Sequence, residues 1–481
     1  MSIAKKSVRA VAWVAIAQAT QLLIQFTLLS VLTHLLTPND FGLLAMTLVF
    51  KNFLIIFGDF GLTAAVIQKK NITDYQLSSI FWINVLVGLV LTLVLSSLAF
   101  PIAAFYRESR LMPTTITLST VFLIISLGFV QNALLIKSLD FKRLAFIKIT
   151  TLTFSGGLAI FLAYQGFGPW SLVFQILSNQ FLETILLWTR SSWRPLFVFR
   201  WNEVRELVGF GSHLIGFSFI NYFIRNFDDL LIGKFLGMQR LGFYNLAYRL
   251  LLFPLENLTN VIAQVAFPAF SQIQDDKKMI SEAYTKAARF IACMAFPIMM
   301  GLFIIAPEFI ETFLGPQWQR SVFLVQILSV AGLVESIGSL NGTIYKARGR
   351  TEIQFRMGLI FSILYFSAFI IGLRWDIEGV AFGYALTSLL VTYPSMIVVF
   401  KLIDLDFTHF LRQLRNIFLA SLFMSVVLFC VKYFLKNAMA IDNVLLLALL
   451  FWVGVAIYVP SLGWMDRNLY KEFFQLIRVL K

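Results

Sequence analysis

Charge is what this sequence is short of. Only 13% of its 481 residues are Asp, Glu, Lys or Arg, where water-soluble domains carry roughly 25%. That shortfall excludes an ordinary soluble fold. Histidine occurs 3 times and cysteine twice. Cys293 and Cys430 both lie inside apolar runs and read as small hydrophobes. No Cys/His cluster has metal-ligand spacing, so no metal is expected. No P-loop occurs, so nothing points to ATP. Segments of about ten alternating residues, the mark of a membrane barrel, are missing as well.

What is present is grease. Apolar residues make up 59% of the chain and the mean hydropathy is +0.82. Apolar runs of about 20 residues recur, each long enough to cross ~30 Å of hydrocarbon. Backbone groups in lipid must be satisfied within their own segment, so the runs are expected to be helices. The expectation is an all-α integral membrane protein of about 14 transmembrane helices. They are placed at 10–33, 40–66, 78–105, 114–136, 145–166, 168–189, 208–233, 240–265, 288–312, 320–343, 355–374, 377–401, 410–433 and 441–464. The first run is read as helix one, not as a cleaved signal.

The net charge of +14 would suit nucleic acid, but its placement argues against that partner. With the N-terminus inside, 28 Lys/Arg fall in inner segments, 8 in outer loops and 3 within spans. Such a bias, sustained to the C-terminus, follows the positive-inside rule. It predicts an even number of helices and both termini in the cytoplasm.

A weak internal repeat is visible. Leu36-Thr-Pro-Asn-Asp-Phe-Gly42 opens span two, and Leu236-Gly-Met-Gln-Arg-Leu-Gly242 opens span eight. Lys137 pairs with Lys346, and Gly168-Pro-Trp-Ser-Leu-Val with Glu378-Gly-Val-Ala-Phe-Gly, at offsets of 209 and 210. The offset covers six helices, so the two halves keep one membrane orientation. Two parallel six-helix lobes are expected: an N-lobe at 1–200, a C-lobe at 201–403, and helices thirteen and fourteen with a cytoplasmic tail at 404–481. A cleft between such lobes suits alternating access.

Charges inside spans cost at least ~2.5–3.5 kcal/mol each on insertion scales, so each calls for a reason. They are Lys51, Asp59, Glu183, Arg225, Asp228, Asp229, Arg249, Glu256 and Glu335. Arg225 shares a helix face with Asp228 and Asp229, and Arg249 with Glu256. One reading makes them helix-packing ion pairs. The other makes Arg225, Arg249 and Lys51 a cationic lining for an anionic lipid head, since the guanidinium fork matches phosphate. Asp59, Asp228, Asp229 and Glu256 are then charge partners or binders of a coupling proton or sodium ion. Gln18, Gln21 and Gln25 line one face of span one, and Tyr244, Asn245 and Tyr248 surround the second arginine. These polar groups suit sugar hydroxyls, or equally helix-to-helix hydrogen bonding.

The chain resembles bacterial polysaccharide flippases of the multidrug/oligosaccharidyl-lipid/polysaccharide exporter superfamily. It is most similar to the branch of lipopolysaccharide biosynthesis proteins that includes the colanic acid and teichuronic acid exporters. The resemblance rests on Leu36-Thr-Pro-Asn-Asp-Phe-Gly42, Gly58-Asp59-Phe-Gly61-Leu and Arg225-Asn-Phe-Asp228-Asp229-Leu-Leu-Ile-Gly233. It continues through Leu241-Gly242-Phe-Tyr244-Asn-Leu-Ala-Tyr248-Arg249 and Phe267-Pro268-Ala-Phe-Ser271. It implies a monomeric inner-membrane transporter with a cationic cavity, moving an undecaprenyl-diphosphate-linked oligosaccharide by an ion gradient. A polysaccharide polymerase or export machinery would be its partner. Arg225 and Arg249 lie in motifs this sequence keeps; Lys51 does not. Two alternatives stand beside it: a cation-coupled small-molecule antiporter of the same superfamily, and a membrane glycosyltransferase or polymerase. Asp404-Leu-Asp406 spells D-x-D, but no nucleotide-binding domain surrounds it, and no catalytic residue is assigned.

Overall fold

An apolar chain in lipid has one cheap way to satisfy its backbone, and these residues take it. The structure, a computed structural model, describes residues 3–58, 62–63, 66, 72–138, 140–201, 222, 226–438 and 441–466. Among them there is no strand and nearly every residue is helical. Among the described residues fifteen α-helices have defined bounds, roughly consistent with the expected fourteen spans. The first seven are α1 Ile3–Leu35, α2 Pro38–Ile55, α3 Asp74–Tyr106, α4 Leu111–Ser126, α5 Phe129–Lys137, α6 Phe141–Tyr164 and α7 Pro169–Arg190. A helical stretch over 226–235 leads into α8 Met238–Gln272. There follow α9 Lys277–Phe313, α10 Ser321–Gly338, α11 Asn341–Ala347, α12 Thr351–Gly372, α13 Asp376–Ile403, α14 Phe407–Ala438 and α15 Asn443–Met465. Seven stretches of this set are long and apolar enough to cross a membrane, or eight if the bent pair α4 and α5 is one span.

The described chain clusters into two units, Met1–Gly242 and Phe243–Lys481. In the first, α3 packs on α4, α6 on α7, α1 on α6, and α4 on α7. Small residues permit the approach, as membrane helix packing requires. A Cβ at Gly88 would stand 2.6 Å from the Ser126 hydroxyl and 2.8 Å from the Phe122 carbonyl. The bend between α4 and α5, 44°, falls at Leu127–Gly128, where glycine weakens the helix. Helix α7 supplies donors at the bend: Thr184 Oγ1 to the Ile124 carbonyl at 3.0 Å, and Trp188 Nε1 to the Leu127 carbonyl at 2.7 Å.

The motif that opens span two has a clear local logic. Thr37 caps α2, with Pro38 at the first helical position. The Asp40 carboxylate accepts from the Thr37 N–H at 2.9 Å and from its hydroxyl at 2.7 Å. Within the first unit, this turn meets the turn that opens α8. A Cβ at Gly42 would lie 1.7 Å from the Met238 carbonyl oxygen, and one at Gly242 would lie 2.0 Å from that of Pro38. The contact is reciprocal: each repeat's glycine admits the other's backbone.

In the second unit, α9 packs on α10, α10 on α13, α12 on α13, and α9 on α14. Tyr284, Phe400, Phe410, Ile417 and Leu446 are among the residues at its core. Between α10 and α11 the chain breaks again, and the buried Asn341 fills the break. Its Oδ1 accepts from Tyr284 Oη at 2.7 Å and its Nδ2 donates to Ser395 Oγ at 3.0 Å. The last two helices are fastened to α9. Glu308 meets Lys432 at 2.8 Å and Lys436 at 2.5 Å, while Arg289 meets Asp466 at 2.6 Å. Asn416 Nδ2 donates to the Met465 carbonyl at 2.8 Å, and Tyr458 Oη to that of Cys293 at 2.6 Å.

Candidate functional site

Helix α10 carries one charged residue, Glu335, and the structure gives that charge company. Tyr384 Oη and Ser388 Oγ both donate to Glu335 Oε1, at 2.5 and 2.9 Å. They are four residues apart on α13, so they present one face. With Ser388 Oγ committed to the carboxylate, Tyr365 Oη, at 3.0 Å, is the donor to Ser388. The same logic makes Tyr248 Oη the donor to Tyr384 Oη, at 3.4 Å. Two hydroxyl chains from three helices, α8, α12 and α13, therefore converge on one oxygen of α10.

Aromatic rings enclose the cluster. Tyr248 and Tyr365 each approach Tyr384 with centroids 5.6 Å apart. Phe369 stacks on Tyr384 at 6.3 Å, and Tyr244 on Tyr248 at 6.1 Å. Glu335 itself is half-buried and Ser388 fully buried. A membrane carboxylate collecting hydroxyl donors suits proton binding or relay. No group of three or more potential metal ligands occurs among the described residues.

The residues singled out from sequence fall in several places. Tyr248 joins the Glu335 cluster; Tyr244 is buried behind it, and Asn245 is half-buried on the same helix. Arg249 and Glu256 are exposed on α8. In the first unit, Lys51 is half-buried on α2, with Nζ 3.2 Å from Asn52 Oδ1. Asp228 is buried and its Oδ1 accepts from the Asp229 N–H at 3.0 Å; Asp229 is half-buried. Gln18 and Gln21 are half-buried and Gln25 exposed on α1. Arg225 and Asp59 lie outside the described residues. Glu335 was visible in the sequence only as one of nine intramembrane charges. A tyrosine and a serine four apart, in Gly383-Tyr-Ala-Leu-Thr-Ser388, were its one local signal.

The D-x-D carboxylates have structural work. Asp404 pairs with Lys277 at 2.9 Å. Asp406 caps α14, accepting from the Thr408 hydroxyl and from the His409 N–H at 2.7 Å.

Comparison with known proteins adds the family. A family model described as "Polysaccharide biosynthesis protein" matches residues 31–323. The lipopolysaccharide biosynthesis protein WzxC of Escherichia coli (strain K12) is 28% identical over 446 residues, covering 92% of this chain and 90% of that protein. The teichuronic acid biosynthesis protein TuaB of Bacillus subtilis (strain 168) is 28% identical over 440 residues, 90% of each. Among solved structures, the lipid II flippase MurJ in its inward closed conformation superposes with a TM-score of 0.73 at 15% identity. That match covers 95% of this chain and 99% of the other, and it shows a shared fold.

Proposed function

The chain belongs to the polysaccharide biosynthesis protein family, and from that membership we propose that it is a flippase. Its cargo is an undecaprenyl-diphosphate-linked oligosaccharide, carried across the bacterial inner membrane by alternating access, with both termini in the cytoplasm. The observation that supports coupling to an ion gradient is the Glu335 cluster. Protonation of that carboxyl removes the charge toward which Tyr384 and Ser388 both donate, so the bonds joining α10 to α13 change strength with each proton bound. Glu335 joins Asp59, Asp228, Asp229 and Glu256 as a coupling candidate. Arg225, Arg249 and Lys51 remain the proposed contacts for the diphosphate, and Gln18, Gln21, Gln25, Tyr244, Asn245 and Tyr248 the proposed polar lining.

Deletion of the gene, followed by mass analysis of accumulated lipid-linked intermediates, tests the cargo. An accumulating undecaprenyl-diphosphate oligosaccharide is the expected outcome; an unchanged lipid pool sinks it. Alanine and lysine variants at Arg225 and Arg249, scored for surface polymer and membrane abundance, test the cationic site. Full export by both alanine variants eliminates it. One observation favours a second reading. A carboxylate ringed by tyrosines also suits an organic cation, as in a small-molecule antiporter. Drug sensitivity in the deletion strain, with normal lipid intermediates, would select that reading.

A further inference from the structure

Helix α7 stops at Arg190, and the chain then runs without helix over 191–200. Pro195 cannot donate a helical bond and disfavours helix before it. The sequence here is Trp193-Arg-Pro-Leu-Phe-Val-Phe-Arg-Trp201. Trp193 packs inward, its ring 6.1 Å from that of Phe81, whereas Phe197 and Phe199, two residues apart, are both exposed.

The segment is tied down. Leu196 spends both backbone groups on α3: its N–H donates to Ser78 Oγ at 3.0 Å and its carbonyl accepts from Trp82 Nε1 at 2.9 Å. The Arg200 N–H donates to Ser79 Oγ at 2.9 Å. It is thus a strap laid across the start of α3. Each arginine lies over a ring: Arg190 5.3 Å from the Phe146 centroid, Arg194 5.5 Å from Trp188, and Arg200 3.9 Å from Tyr75.

The outward chemistry of the strap is unusual. Phe197 is 93% exposed, Phe199 55% and Trp201 48%. Between Glu183 and Glu203 the sequence has no carboxylate, yet it carries Arg190, Arg194 and Arg200. Aromatic rings outside a core are at home where headgroups meet acyl chains. Clustered cations favour the negative surface potential of an anionic leaflet. The charge pattern of the whole chain places this segment on the inner side.

We propose that residues 190–201 are an interfacial anchor lying in the headgroup layer of an anionic leaflet. Arg190 and Arg194 sit on lipid phosphates, and Phe197, Phe199 and Trp201 enter the acyl boundary. The strap therefore ties the first unit to lipid composition, whatever the transporter's cargo.

The test uses the full chain in a Cys293→Ala, Cys430→Ala background, with a nitroxide at Phe197→Cys. It is reconstituted into vesicles of phosphatidylcholine alone or with added phosphatidylglycerol. Oxygen should relax the label more than a water-soluble nickel chelate does, and phosphatidylglycerol should deepen it. The preference for the docked position should fall roughly fivefold for each arginine lost, about 1 kcal/mol at an anionic surface. Arg190→Gln with Arg194→Gln should therefore abolish the phosphatidylglycerol response, while Arg194→Lys keeps it and so separates charge from the bonds Arg194 makes to Ser191 and Trp193. A label open to the nickel chelate in both lipids overturns the proposal. So does one immobilised regardless of lipid, which would mark a protein partner instead.

Discussion

The two broken helices invite comparison. In the first unit α4 bends into α5, and in the second α10 breaks before α11, with helix starts Leu111 and Ser321 lying 210 residues apart. The first break is stitched by a threonine and a tryptophan of α7. The second is filled by an asparagine held between Tyr284 and Ser395. One turn before that second break stands Glu335. At offsets of 209 to 212 the first copy has Ser126, Ile125, Ile124 and Leu123, none of them charged. The arginines that precede α4 and α10 diverge likewise. Arg110 pairs locally with Glu108 at 2.8 Å, whereas Arg320, 210 residues later, reaches Asp376 at 2.8 Å and Glu378 at 3.2 Å on α13. The two segments share their helix starts and their breaks, and only the second carries a carboxylate beside the break.

Substitution can break this comparison where the copies still agree. Gly42→Val and Gly242→Val should each cost roughly 3 kcal/mol or more, because a side chain there meets backbone that cannot yield. Thermal melting of purified protein checks it, with Gly157→Ala as the control, since nothing lies within 4 Å of a Cβ at Gly157. Equal, small losses at all three positions would mean the crossing is dispensable.

Where the copies differ, the effect should fall on one side. Glu335→Gln should lower transport at least about tenfold with little loss of protein, the size expected if an intramembrane carboxylate is functional. Leu123→Met in the first copy should leave transport unchanged. Tyr384→Phe removes one hydroxyl and should have a smaller effect, about 0.6–1.7 kcal/mol or up to roughly twentyfold in the affected equilibrium. Reconstituted transport across a pH range measures all three; a shared wild-type profile would remove Glu335 from the mechanism. Within the breaks, Trp188→Phe and Asn341→Leu should each lower stability by about 1 kcal/mol, the value of a membrane hydrogen bond. An indifferent Trp188→Phe would show that the bend needs no donor.

The smallest effect concerns Arg110 and Arg320. The hydrogen bond from Arg110 holds the Glu108 carboxyl below the usual carboxylate range, against burial that works the other way. A depressed folded value means the pair stabilises above the unfolded pKa of about 4.3 and is lost as pH falls through the folded one. Arg110 is half exposed, so the term is a fraction of a kcal/mol. Arg110→Gln should flatten the melting temperature between neutral and acid pH slightly. Arg320→Gln, which cuts two links to another helix, should lower the melting temperature itself slightly more than Arg110→Gln does.

Much of the architecture was legible beforehand because hydrocarbon is an unforgiving solvent. Backbone groups must bond within their own segment, so apolar length alone reports helices. The breaks were less legible. Gly128 hinted at one, but the donors that make it tolerable, Thr184 and Trp188, lie about sixty residues away. Charged residues could be picked out as costly without revealing which had partners. Glu335 drew no more notice than Glu183, because Tyr248, Tyr365 and Tyr384 become its neighbours only when four helices meet.

By itself, then, the sequence determined the all-α membrane class and the family, set by patterns local to a segment or carried in motifs. Only the tertiary structure decided that Gly42 faces the Met238 backbone and Gly242 that of Pro38, that Glu335 collects two hydroxyl chains, and that Leu196 is bound to α3. Those depend on distances between residues remote in the chain, and a one-dimensional pattern carries no such distances.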